Sequence, residues 1–326
     1  MEFDESEADT SDVIDRRGAG GGGGMGGGGG GTGFSLPGGM SLPGGRAGGG
    51  IIGLVVIVVL AFLGKGVLGG SGFDVSTGGL GSNVFPGGAG PADQADVAGA
   101  GIPAGQDPDL ALKTFSNVII SDLNRSWASY FTGVGKQYSK TKLVLYTGAT
   151  RTGCGTGQSD MGPFYCPPDS LVYIDLAFFQ ELTTRFGSPG DFAVAYVIAH
   201  EVGHHVQKLL GINDAVTKLQ RDNPDDANAL SVRLELQADC LAGVWAHSRY
   251  ERGQADPTKR LDDGDIAEAL HAAEQIGDDT LQKEATGQVH PEQFTHGTSA
   301  QREKWLKAGY DSGRADDCDT FAVDEP

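Results

Sequence analysis

Between Gly18 and Gly50 the chain is largely glycine, with a few Ser, Pro and Met. Such a stretch cannot bury enough apolar surface to offset the entropy of ordering it. Most of the 54 glycines precede residue 106, and no repeat of folding length runs through them. A packed core therefore has to come from residues 106–326, roughly 220 residues, ample for one domain. Residues 1–50, acidic and then glycine-rich, read as disordered, and 69–105, rich in Gly, Pro and Ala, as a linker.

One apolar run interrupts this region. Ile51 to Leu68 gives about 18 residues, near the lower limit for a spanning helix, with Lys65 able to snorkel to an interface. About 50 residues precede it, far more than the n-region of a signal peptide, so 51–68 reads as an uncleaved transmembrane anchor. Arg16, Arg17 and Arg46 lie before it and only Lys65 closely after, which predicts residues 1–50 in the cytoplasm and 106–326 outside. All four cysteines follow the anchor, and an exported domain permits disulfides. Four cysteines allow three connectivities. The first choice is Cys154 with Cys166, bracketing a Gly/Pro loop, and Cys240 with Cys318. The net charge of −19 argues against nucleic acid or an anionic lipid surface as partner.

Within the foldable part, His200-Glu201-Val202-Gly203-His204 lies in an apolar, helix-periodic segment. Ser188 as N-cap, Pro189 at the first helical position and Gly211 as the stop delimit a helix of roughly 20 residues. Positions four apart on a helix are about 40° apart around its axis. His200 and His204 therefore point the same way and can share a divalent ion, zinc suiting them best. Glu201, one step round, reads as the general base of a metal-assisted hydrolase. Catalytic zinc usually takes a third protein ligand. Gln207 and Leu210 stand where one class of such enzymes would have its glycine and its third histidine. Another class uses a glutamate from a later helix with an aspartate four residues on. Glu235 and Asp239 fit that spacing, in a helical run from about Asp225 to Arg249 too apolar to leave acids without partners. Glu235 then binds the metal, and Asp239 orients the ring of His200 or His204.

Further elements read as a helix from Asp109 to Tyr130, strands at Lys142–Tyr146 and Leu171–Leu176, and helices near Ile266–Ile276 and Ala300–Lys307. The fold class is α+β, mostly helical, with a small sheet ahead of the metal helix. His296, in a Gly/Ser/Thr-rich turn, is the candidate oxyanion donor. Equally, that turn reads as a plain helix entry capped by Thr298 or Ser299, with His296 at the surface. Tyr165 and Tyr173 are alternative donors. His205, His247, His271 and His290 receive no role.

The run Leu234–Trp245 (LELQADCLAGVW) resembles that of the neutral zinc metallopeptidases, membrane-anchored bacterial proteins of the zincin type. So do Gly162–Pro167, Val172–Asp175, His200–His204, Thr295–Arg302, Cys318–Phe321 and Asp15-Arg16-Arg17 before the polyglycine. The resemblance implies a zincin-like metallopeptidase domain with Zn²⁺. It also implies that the strand at Leu171–Leu176 pairs with an extended substrate. The chemistry expected is peptide hydrolysis, with His200, His204 and Glu235 on the metal and Glu201 moving the proton of water. The alternative is a catalytically silent zincin-fold module that binds peptides or proteins at the membrane; the intact Glu201 argues for the enzyme.

Overall fold

The computed structural model describes residues 4–18, 101–257, 260–262 and 264–326. The described residues form a mostly helical α+β fold with a small sheet. Chain order is β1 (Val13–Asp15), α1 (Leu110–Gly133), β2 (Lys142–Tyr146), the hairpin β3 (Ala149–Thr152) and β4 (Gly155–Gln158), β5 (Phe164–Cys166) and β6 (Leu171–Asp175). Helices α2 (Ala177–Thr184), α3 (Asp191–Leu209), α4 (Ile212–Asp222), α5 (Ala227–Ala255), α6 (Asp265–Gln275), α7 (Asp278–Thr286) and α8 (Ser299–Ser312) follow.

The main sheet runs β1-β2-β6-β5, with β1, β2 and β6 parallel and β5 antiparallel on β6. Leu143 and Leu145 point into the helical core, whereas Val144 and Tyr146 pack with Tyr173 and Cys166 in a smaller cluster. Both faces of β2 are thus covered, which is why Leu-Val-Leu-Tyr is apolar without alternation. Tyr146 donates to the carbonyl of Gln158, seating the β3–β4 hairpin over the smaller cluster.

Helix α3 is buried almost throughout. Ser188 is not its cap. The helix starts at Asp191 after an extended Gly190, while Gly211 ends it in the left-handed conformation at φ 78°. Helix α5 packs across α3, and its buried stretch Leu236–Ala246 carries Trp245, stacked on Phe192 of α3. The indole donates to Asp122, a fully buried carboxylate of α1 that also receives both Nη groups of Arg252. Both expected disulfides form, Cys154–Cys166 tying the hairpin to β5 and Cys240–Cys318 tying α5 to the C-terminal tail.

The N-terminus departs from the expectation of disorder. Residues 4–18 lie on the domain and supply the edge strand β1, in register with Leu143–Leu145. Arg17, 1% exposed, is caged by Asp15 and Asp107, its Nη1 reaching Asp107 Oδ1 at 3.0 Å and its Nη2 reaching Asp15 Oδ2 at 2.8 Å. Arg125 holds Glu7, and Lys140 holds Asp9. A three-residue strand is too short for periodicity to reveal.

This pairing overturns the expected topology. Strands β1 and β2 share a sheet, so residues 13–15 and 142–146 lie on one side of any bilayer, and residues 4–18 cannot be cytoplasmic with the rest of the sheet outside. Among the described residues no helix is long and apolar enough to cross a membrane. The apolar run 51–68 itself, the polyglycine and nearly all of the linker at 69–105 lie outside the described residues.

Candidate metal centre

The buried packing of α3 on α5 brings His200, His204 and Glu235 together. His200 Nε2 lies 3.1 Å from Glu235 Oε2, and His204 Nε2 lies 3.4 Å from Oε1. The two imidazoles stand edge to face with centroids 4.8 Å apart. One ligand atom from each of the three residues lies within 4.8 Å of the other two. This close approach needs Gly203: a Cβ there would stand 3.0 Å from the carbonyl oxygen of Ala238 and 3.1 Å from its Cα.

The other ring nitrogens are already engaged. Nδ1 of His200 donates to Asp239 Oδ1 at 2.7 Å, and Nδ1 of His204 donates to Gln207 Oε1 at 2.8 Å. With acceptors on both Nδ1 atoms, each ring turns its Nε2 toward the carboxylate of Glu235 and donates to it; a metal would take these two nitrogens in place of their protons. Two imidazole nitrogens and a carboxylate, each aimed by its neighbours, are the donor set that zinc takes at three protein ligands. The residues therefore fit the metal. Burial opposes charge on Glu235, but the charge of His204 and hydrogen bonds from both imidazoles hold its pKa well below the ordinary value.

Several residues around the centre were not assigned from the sequence. Gln207 also donates its amide to the carbonyl of Leu234 at 2.7 Å, so it braces His204 against α5. Arg302 of α8, fully buried, meets Asp239 through Nε at 2.9 Å and Nη2 at 3.0 Å. Tyr196 donates to Asp239 Oδ1 at 2.7 Å. Burial alone would raise the pKa of Asp239; the charge of Arg302, then of His200, holds it at about 2. The i, i+4 spacing of Tyr196 with His200 was a usable signal. Arg302, sixty-three residues beyond Asp239, offered none beyond lying in a matched motif.

Glu201 is buried beside the imidazoles. Burial raises its pKa, against the charges of His200 and His204 and the backbone N–H of Tyr165. That N–H places β5 at the centre and corrects the expectation for Leu171–Leu176. Strand β6 is interior, paired on both sides, and cannot accept another strand; β5 is the outer strand next to Glu201.

The side chains of Tyr165 and Tyr173 are spent on structure. Tyr165 donates to Nδ1 of His205, whose Nε2 donates to the carbonyl of Ser139, and Tyr173 donates to Asp169. His205 thus faces away from the candidate metal site, its pKa lowered to about 4 by burial. The helix-entry reading of the His296 turn holds for its cap but not for a surface histidine. Thr298 caps α8 in a capping box with Gln301, yet His296 is mostly buried, and its pKa responds to the charge of Glu235.

A family model described as "Putative neutral zinc metallopeptidase" matches residues 1–321. "Uncharacterized protein YpfJ" of Escherichia coli is 45% identical over 314 residues, 96% of this chain and 96% of that protein. "Uncharacterized protein Rv2575" of Mycobacterium tuberculosis is 46% identical over 191 residues, 57% of this chain and 64% of that protein. No solved structure matches the chain.

Proposed function

The chain belongs to the neutral zinc metallopeptidase family, and from that premise we propose that it is a zinc-dependent endopeptidase of zincin type. His200, His204 and Glu235 would hold the zinc. The observation that carries this reading is the pinning of both Nδ1 atoms, by Asp239 and Gln207, which leaves the two Nε2 atoms and one carboxylate converging beside a second buried carboxyl, Glu201.

Bound zinc would act as a Lewis acid on the scissile carbonyl and acidify a water. Glu201 takes the proton of the attacking water and passes it to the leaving amine; a carboxyl raised by burial suits both halves of that transfer. The outer edge of β5 pairs with an extended peptide and lays the scissile bond beside Glu201. His296 donates to the oxyanion. The alternative, a catalytically silent module binding peptides at the same edge, gives Glu201 no work.

The deciding experiment uses the full chain, because β1 belongs to the sheet. One equivalent of zinc, cleavage of casein or a peptide library, and loss of cleavage with zinc retained in Glu201→Gln establish the peptidase. Stoichiometric zinc without cleavage across a broad library favours the binding module. A folded protein that takes up no zinc overturns both.

A further inference from the structure

Helix α3 carries a second polar stripe beside the one that faces the candidate metal site. Glu201, His205 and Lys208 stand at i, i+4 and i+7, a spacing that turns them to one side of the helix. All three meet β5 or the turn that leads from it into β6. Glu201 takes the backbone N–H of Tyr165. Nδ1 of His205 accepts from the hydroxyl of the same tyrosine at 2.9 Å, while its Nε2 donates to the carbonyl of Ser139 at 2.6 Å. Lys208 donates to the carbonyl of Pro167 and to the hydroxyl of Ser170.

Ser170 shows why this turn needs holding. Among the described residues it is the one non-glycine with a positive φ, 62°, a left-handed conformation that a side chain disfavours. Its N–H meets the carbonyl of Cys166 at 2.9 Å, its carbonyl accepts from Thr141 Oγ1 at 2.8 Å, and Lys208 takes its hydroxyl. Burial of the Tyr165 ring is non-directional and would tolerate a slide of β5 along α3. Directed bonds spread over about 10 Å of helix, the rise of seven residues, would not. Alternate residues of an antiparallel strand turn both backbone groups to the same edge. Tyr165, whose N–H meets Glu201, therefore turns its carbonyl to the outer edge as well.

We propose that His205 and Lys208 are positioning residues for the substrate. By clamping Tyr165 and the turn after it to α3, they hold the outer edge of β5 level with Glu201, and with it the Tyr165 backbone groups that an extended peptide pairs with. The proposal rests on the peptidase reading for its consequence in substrate binding, though not for the hold on β5. The helix thus divides its work between two stripes. His200 and His204 face the candidate metal site, and Glu201, His205 and Lys208 set where the peptide edge lies against it. A slip of one residue along β5 would move that edge by about 3.3 Å and reverse which residues turn their backbone outward.

The test uses the zinc-loaded full chain and three variants. Lys208→Met keeps the aliphatic stem and removes the ammonium, Lys208→Arg restores donors, and Tyr165→Phe removes the hydroxyl that His205 holds while leaving the ring. Amide hydrogen exchange at residue 165 reads whether the edge stays on Glu201. In the wild type that amide should be protected; free exchange there overturns the proposal without any variant. Lys208→Met and Tyr165→Phe should each speed it at least about 10-fold with α3 and α5 little changed, and Lys208→Arg should restore protection. In cleavage, KM for an extended peptide should rise about 10-fold in the first two variants with kcat within about twofold of wild type, the pattern of lost uniform binding. Unchanged exchange at residue 165 in both overturns the proposal. So does faster exchange spread evenly through α3 and α5, the mark of a general loss of stability, or a fall in kcat at constant KM. If the wild type binds zinc and cleaves nothing, the peptidase reading fails, while exchange at residue 165 still decides whether His205 and Lys208 hold the edge.

Discussion

Arg302 and Asp239 face each other side-on inside the protein, Nε on Oδ2 at 2.9 Å and Nη2 on Oδ1 at 3.0 Å, and Nδ1 of His200 meets the same Oδ1 at 2.7 Å. The carboxylate that orients His200, a proposed metal ligand, is therefore itself fixed in plane and charge. Removing one partner of such a pair strands the other without solvent, at a cost of about 3–5 kcal/mol. Arg302→Met should destabilise the protein by that order in denaturant unfolding. In the fraction that folds, zinc affinity should drop about 10–100-fold in a chelator competition, as for other outer partners of metal ligands. Unchanged zinc affinity would make the pair purely structural.

What the sequence disclosed and what it hid divide by range. His200, His204, Glu201 and the Glu235/Asp239 pair were legible because helical spacing turns short separations into shared faces. The disulfide pairing was readable from the Gly/Pro loop and elimination. Gln207 was noticed only for what it excluded, yet it is the acceptor for His204. Arg302 acts across a chain separation that no local period encodes. Strand β1 was missed because Val13-Ile14 sits among charges that look solvated and are in fact paired with Arg125, Lys140 and Asp107. The same blindness produced the wrong topology.

The N-terminal segment should behave as a bound peptide. A specific protease site inserted between residues 19 and 100 and then cut should leave the 4–18 fragment on the domain through gel filtration at neutral pH, and Arg17→Ala should release it. The pH dependence follows from Asp15 and Asp107. Burial opposes their ionisation, but hydrogen bonds and charge from Arg17, aided for Asp15 by Lys113, lower both pKa values, that of Asp15 to about 2. Groups depressed on binding hold the fragment fully above their free value of about 4 and release it as pH falls toward about 2. Retention at pH 6 with loss near pH 2–3, read by gel filtration, is the expected result. Release already at pH 6 would mean that the cage contributes little.

The two disulfides should differ in weight. Cys240–Cys318 closes 78 residues and Cys154–Cys166 closes 12. On the chain-entropy account these limit the unfolded state by about 4–5 and about 3 kcal/mol. The longer bridge also anchors the carbonyl of Cys318 to Gln237 beside the metal helix. The Cys240→Ser/Cys318→Ser pair should therefore lose more stability than Cys154→Ser/Cys166→Ser in urea, and it alone should weaken zinc binding. Equal losses would place the stabilisation in the folded state rather than in loop length.

Glycine sets how closely the helices of the site approach, and two substitutions should separate stability from metal binding. Helices α5 and α8 touch backbone to backbone: a Cβ on Gly309 would overlap the carbonyl of Cys240, and one on Gly243 that of Leu306. Neither backbone can yield as a side chain can, so Gly309→Ala should cost at least the ~1–3 kcal/mol of an overpacked core. Gly203→Ala meets Ala238 only at 3.0–3.1 Å, a gap that a shift of a few tenths of an ångström relieves. That shift, however, moves α3 from α5 where His200 and His204 face Glu235. Gly203→Ala should accordingly unfold close to wild type and bind zinc more weakly, while Gly309→Ala should fail first in thermal unfolding. The reverse order would mean that the α5–α8 contact, not the α3–α5 contact, fixes the ligand spacing.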